Sequence, residues 1–191
     1  MEQVKGTPYF CNNVKKIKQY PYLEQNINCN ILIIGGGIDG AIANYYLSKK
    51  YNVVLVEENR IGYQCTSCAT ALLEYQLDDF ASDLTEVMTE QEIATIYQKG
   101  LYSIRKINDF IKQYGNHCDF YVRDTLVYST KKKDIKSFEE EFKFRKKYNL
   151  DVELLDETQK DFPFSDFKVG LFCKNGGAEF TIPIYKDDDW K

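Results

Sequence analysis

The chain has 191 residues, of which 43% are apolar and 28% charged, a balance that supports a packed core and excludes a fibrous or wholly disordered chain. Its 25 Lys and Arg against 29 Asp and Glu give a net charge of −4, which argues against a nucleic-acid partner. The longest strongly apolar runs, Ile31 to Ile34 and Val53 to Val56, are four residues each, far below the roughly 20 of a membrane span. Residues 1–29 carry no apolar block of the secretory kind, so no membrane partner and a cytoplasmic location are expected. The six cysteines, Cys11, Cys29, Cys65, Cys68, Cys118 and Cys173, are expected to be reduced thiols, because a chain of this length does not need disulfide staples.

Residues 1–27 read as an N-terminal extension. Residues 28–115 come next as a nucleotide-binding region that includes a long helix, then residues 116–180 as a partial second domain, and 181–191 as an exposed tail. The first region opens with a βαβ unit: strand Ile31 to Ile34, a glycine turn, a helix from about Ile38 to Lys50, and strand Val53 to Val56. Each strand is a short Ile- and Val-rich run, as expected of parallel strands covered on both faces, and the helix is the crossover that parallel pairing requires.

From Thr89 to Tyr114 the apolar positions Ile93, Ile96, Tyr97, Leu101, Ile104, Ile107, Ile111 and Tyr114 follow helical spacing. Thr89 with Glu92 makes a capping box, and Gly115 marks the stop. Beyond it come a strand from Phe120 to Ser129, a charged helix from about Asp134 to Tyr148, and strands Val152 to Leu155 and Val169 to Cys173. Lys131 to Lys133 read as a solvated turn, since Glu139, Glu140 and Glu141 stand close behind. The fold class is therefore α/β, an incomplete parallel sheet of Rossmann type followed by part of an α+β domain.

The segment Gly35-Gly-Gly37-Ile-Asp-Gly40 satisfies G-x-G-x-x-G between a strand and a helix, the context that gives the pattern meaning. Gly35 permits the tight turn, Gly37 lets the backbone approach a pyrophosphate, and Gly40 lets the helix pack closely. The helix start offers unpaired N–H groups and a positive dipole end to phosphates. Glu57 stands at the end of the second strand, where its carboxylate can accept hydrogen bonds from both hydroxyls of an adenosine ribose and repel a 2′-phosphate. These features point to dinucleotide binding.

After Glu57 the chain carries no further βα unit; instead come Arg60-Ile-Gly62 and the small, hydroxyl-bearing run Cys65-Thr-Ser-Cys-Ala-Thr-Ala-Leu-Leu73, ahead of Glu74-Tyr-Gln76. Together GGGIDG, VVLVEEN and RIGYQCTSCATALLEYQ resemble the FAD-dependent oxidoreductases of the D-amino-acid oxidase and glycine oxidase superfamily. Tyr20-Pro-Tyr-Leu23, Leu150 to Leu155 and Gly176-Gly-Ala-Glu179 are similar to the same group, and the resemblance is strongest over residues 30–76. It implies FAD as cofactor, with Gly35, Gly37 and Ile38 at the phosphates through their backbone and Glu57 at the ribose. Thr66 and Ser67 would reach the pyrophosphate, and Ala69, Thr70, Ala71 and Leu72 would line the flavin edge.

The activity implied is oxidation of a small-molecule amine or amino acid by hydride transfer to flavin, with electrons passed on to oxygen or another acceptor. Members of that superfamily are longer, so the chain is expected to be the N-terminal part of such an enzyme, lacking later strands and most of the substrate domain, and inactive by itself. Two alternatives stand beside this reading: a noncatalytic fragment or subunit that binds FAD or an adenine nucleotide and needs a separately encoded C-terminal half, and an NAD-dependent dehydrogenase, against which the Thr66 to Leu73 loop argues. Asp39 departs from the family, which carries small or neutral residues there. Its charge suits the helix dipole and is expected to point sideways from the phosphates.

Three other signals are read as structural. Cys65 and Cys68 have C-x-x-C spacing, but a zinc site lacks a second ligand pair and redox work needs an accessible, electropositive setting, so they are taken as incidental loop residues with no metal. Tyr45 and Lys49 show Y-x-x-x-K spacing on the nucleotide-binding helix, a coincidence. His117 has no evident nucleophile or acidic partner.

Overall fold

The structure is a computed structural model that describes residue 6 and residues 19–158 and 166–179. The described residues fall into two compact units, one comprising those up to Ala71 with His117–Asp119, the other Leu72–Asn116 with Phe120–Glu179. Most of the N-terminal extension and the whole 181–191 tail lie outside the described residues. Residues 19–27 are exposed and irregular.

The first unit contains β1 (Ile31–Ile34), α1 (Ile38–Leu47) and β2 (Val53–Val56). The strands pair in parallel, Ile31 with Val53 through Ile34 with Val56, as the sequence predicts. Asn30 and Asn52 staple the strand starts: the Asn52 N–H donates to the Asn30 side chain at 3.0 Å and the Asn30 N–H to the Asn52 carbonyl at 2.9 Å. The helix ends at Leu47, three residues before the expected Lys50, because the Leu47 carbonyl accepts the N–H groups of both Lys50 and Tyr51, each at 3.0 Å, and turns the chain back toward β2. Lys49 Nζ lies 3.8 Å from the centre of the Tyr45 ring, so the Y-x-x-x-K pair is engaged with itself.

The second unit is an antiparallel sheet covered by helices. Its elements are β3 (Leu72–Glu74), α2 (Ala81–Leu84), α3 (Glu90–Tyr114), β4 (Tyr121–Ser129), α4 (Ile135–Lys147), β5 (Glu153–Asp156) and β6 (Val169–Glu179). Strand β6 is the axis: β4 pairs along one edge, while β3 and β5 share the other, β3 opposite Gly177 to Glu179 and β5 opposite Val169 to Phe172. The sequence ends this strand at Cys173. The structure carries it to Glu179, because β3 and the start of β4 supply partners on both sides.

Helix α3 starts on the predicted capping box, with Thr89 Oγ1 accepting from the Glu92 N–H at 3.3 Å and Glu92 accepting from the Thr89 N–H at 2.9 Å. It ends at Gly115, whose φ of 90° stops the helix. It buries Ile93, Ala94, Tyr97, Ile104 and Ile111. Since it packs on β3 and β6, it belongs to the second unit rather than to the 28–115 region in which the sequence placed it, and the boundary between units falls at 71/72.

The core of this unit holds a charged pair from the helix that the sequence marks only as charged. Glu141 and Arg145, one turn apart on α4, are each 1% exposed, and Arg145 Nε donates to Glu141 Oε1 at 2.7 Å. Arg145 also donates to the Tyr75 hydroxyl at 2.8 Å and to the Gln76 side chain at 2.9 Å. The second Glu141 oxygen accepts the Ala81 N–H at the start of α2 at 2.7 Å. Burial opposes the charge on Arg145, but Tyr75 and Glu141 outweigh it and hold the guanidinium above its ordinary range. Burial pushes the Tyr75 and Tyr97 hydroxyls upward, so both keep their protons beside the Glu141–Arg145 ion pair.

Candidate functional site

The candidate site lies wholly in the first unit, where β1 hands over to α1. Gly35 has φ of 106°, a left-handed conformation that only glycine adopts without strain, and its N–H donates to the Val56 carbonyl at 2.8 Å. At Gly40 a Cβ would lie 2.0 Å from the Gly35 carbonyl oxygen, so any side chain there would drive α1 off the turn. The close helix approach argued from the motif is thus a backbone contact. Gly37 is the N-cap residue of α1 and has no side chain with which to cap it.

The missing cap comes from 28 residues beyond Ile38: Thr66 Oγ1 accepts the Ile38 N–H at 3.1 Å. Thr66 sits in a 3₁₀ turn, Gln64–Cys68, that the sequence read as plain loop. Glu57, just past β2, is tied to the same glycine turn. Its Oε2 accepts the Gly36 N–H at 2.7 Å and its Oε1 the Asn59 N–H at 3.0 Å. The Gly36 carbonyl in turn accepts the Gly62 N–H at 2.9 Å, so both main-chain polar groups of one turn residue are engaged by the segment after β2. Sequence reasoning missed Gly36 and Gly62; the signal available was the Arg60-Ile-Gly62 triplet, whose glycine has φ of 71°.

These groups surround a cavity of about 550 Å³, of the size that small-molecule sites occupy. Gly35, Gly37, Glu57 and Thr66 line it, joined by Ile34, Val56, Glu58, Tyr63 and Cys65. Among the described residues the wall contains two carboxylates and no Lys or Arg, so its positive element there is the N-terminus of the ten-residue α1. Of the other predicted residues, Gly40 sits under the turn, and Ser67 is buried at 2% exposure next to Thr66. Ala69 and Thr70 are exposed, Ala71 has φ of 60°, and none of the three lines the cavity. Leu72 stands in β3 of the second unit, paired with Glu179. Asp39 is exposed on the first turn of α1 and is absent from the cavity wall. His117 is exposed. Among the described residues no helix is long and apolar enough to cross a membrane.

Residues 30–179 match the family model described as DAO, FAD dependent oxidoreductase. Among curated proteins, the chain is 24% identical over 161 residues to YhfW of Bacillus subtilis (strain 168), which bears the name of a Rieske 2Fe-2S iron-sulfur protein, covering 83% of this chain and 31% of that one. It is 24% identical over 176 residues to the gamma-glutamylputrescine oxidoreductase of Escherichia coli (strain K12), covering 88% of this chain and 40% of the other. Among solved structures, the L-amino acid deaminase from Proteus vulgaris superposes with a TM-score of 0.64 at 13% identity, over 94% of this chain and 44% of that one. The chain spans less than half the length of each of these proteins.

Proposed function

Because the chain belongs to the DAO family of FAD dependent oxidoreductases, we propose that its cavity holds the adenosine diphosphate half of FAD, within the N-terminal part of an enzyme that oxidises an amine or amino acid. The observation that carries this is the state of Glu57. Its carboxylate lines the cavity with two acceptor positions already engaged by backbone N–H groups, which fixes its orientation. A carboxylate offers about four acceptor positions, so about two remain for the adjacent hydroxyls of a ribose. A 2′-phosphate would bring further negative charge against Glu57 and Glu58.

The residues present fit the diphosphate as well. Gly35 and Gly37 place bare backbone in the wall, and space beside Gly35 is open where a Cβ would stand. Thr66 accepts from Ile38 and keeps its own hydroxyl proton to donate to a phosphate oxygen. The N-terminus of α1 supplies the positive end of a dipole where the described residues of the wall include no cationic side chain. FAD, when bound, supplies an acceptor for hydride from the carbon that bears the amine. The chain's own contribution is to bind and orient: Glu57 fixes the ribose, and Gly35, Gly37 and Thr66 hold the pyrophosphate, while Ile38 gives its N–H to Thr66 and buried Ser67 stays out of the wall.

A second reading draws on the covered length and on β1. Leu32 is 54% exposed and Ile34 81% exposed on a sheet of only two strands, and two-stranded sheets are marginal alone. On this reading the chain is a noncatalytic FAD- or adenine-nucleotide-binding subunit that works with a separate C-terminal half. Purifying the 191-residue chain and recording its visible spectrum tests what the two readings share. Retained flavin without turnover supports them, and failure to take up FAD contradicts both. Retained flavin with turnover of glycine, sarcosine or a D-amino acid contradicts the expectation that the chain is inactive by itself.

A further inference from the structure

The Cys65-Thr-Ser-Cys68 spacing, incidental in the sequence, acquires a geometry in the fold. Both cysteines lie in the 3₁₀ turn Gln64–Cys68. With about three residues per turn and a rise of about 2 Å per residue, positions i and i+3 of such a turn eclipse one another and their Cα atoms stand about 6 Å apart. That falls within the roughly 4.4–6.8 Å that a disulfide spans. Both cysteines are exposed, and Cys65 lines the cavity. Of the other described cysteines, Cys118 and Cys173 are buried and Cys29 is half-buried. Two thiols do not make a zinc site, and among the described residues no group of three or more His, Cys, Asp or Glu could hold a metal.

We propose that Cys65 and Cys68 are a reversible dithiol–disulfide pair, a redox modification site in the cavity wall whose oxidation locks Thr66 onto the start of α1. Thr66 and Ser67 are the two residues between the sulfurs, so the bridge closes a small ring around the hydroxyl that accepts the Ile38 N–H at 3.1 Å. The oxidant is a low-molecular-weight disulfide. One cysteine thiolate attacks a sulfur of that disulfide, forming a mixed disulfide and releasing one small thiol. The second thiolate attacks the protein sulfur of the mixed disulfide, forms the Cys65–Cys68 bond and releases the second small thiol. Two protein thiols are oxidised and one small disulfide is reduced to two thiols; the protons pass from the cysteines to the released thiolates.

The test is made on the full chain with oxidised glutathione, followed by alkylation and trypsin. Cleavage after Arg60 and Lys99 yields a peptide that carries Cys65 and Cys68 and no other cysteine. The expected product is that peptide without alkyl label, lighter than the reduced form by two hydrogens and restored by dithiothreitol. The Cys68→Ser chain is expected to stop at a glutathione adduct on Cys65. Amide exchange at Ile38 is expected to slow several-fold in the bridged chain. Two glutathiones on one wild-type peptide, or continued alkylation of both cysteines, overturns the pair; unchanged exchange at Ile38 overturns the lock. None of these readouts uses a nucleotide, so failure here and failure of the FAD reading are separate results.

Discussion

The two units of this chain are built on different principles. In the first, no residue of α1 is buried, and the turn is held by glycine geometry and by bonds from Glu57, Gly62 and Thr66 to main-chain groups. In the second, side chains do the holding: α3 buries five residues against the sheet, and Arg145, Glu141, Tyr75 and Gln76 form one buried network. The first unit keeps its polar groups around a cavity, so a ligand that binds there adds stability by mass action, while the described core of the second is held by its own side chains.

The sharpest way to break this contrast lies in the second unit. Arg145→Met leaves Glu141 buried without its cation and is expected to cost about 3–5 kcal/mol, read as a shift in chemical denaturation. Adding Glu141→Leu is expected to restore part of that loss, though not the hydrogen bond to Ala81. The cavity of the first unit is expected to survive if the units are independent.

In the first unit, Gly40→Ala puts a methyl group against the Gly35 carbonyl. Its expected cost is about 3 kcal/mol, the upper end of the ordinary mutational range, with loss of ADP binding by calorimetry. Glu57→Gln keeps the shape but replaces an acceptor-only carboxylate by an amide, and is expected to weaken ADP by about 1.5–3 kcal/mol, or about ten- to a hundredfold.

The smallest effect expected is electrostatic. The hydrogen bond from Lys147 and then its charge, with the Tyr148 hydroxyl adding to them, hold the Glu90 carboxyl below the ordinary glutamate value of 4.5. A lowered folded value means stability that is present above the unfolded value and lost as pH falls through the folded one. The Glu90→Gln chain is therefore expected to lose slightly less stability than wild type on acidification below about pH 4.5, measured by thermal melts.

The parts legible in the sequence are those fixed by local rules. The apolar run of β1, the capping box of α3 and the stop at Gly115 all depend on residues within one element. The misses depend on distant partners. Leu72 to Glu74 reads as loop because three residues carry no period, and they become β3 only through Gly177 to Glu179. Nothing local marks Glu141 and Arg145 as buried, since their partners Tyr75 and Gln76 lie about 70 residues away. In the site, the motif pointed to Gly35, Gly37, Gly40 and Glu57, while the Thr66 bond to Ile38 closes a span of 28 residues that spacing alone does not reveal.

The most direct test of the nucleotide reading is a calorimetric titration of the full chain with ADP, followed by its 2′-phosphorylated analogue under the same salt. The account predicts saturable one-site binding of ADP and affinity at least about tenfold weaker for the analogue, because the proposal puts the ribose against Glu57, whose carboxylate lines the cavity. Equal affinity for the two, or no binding of ADP, would contradict it.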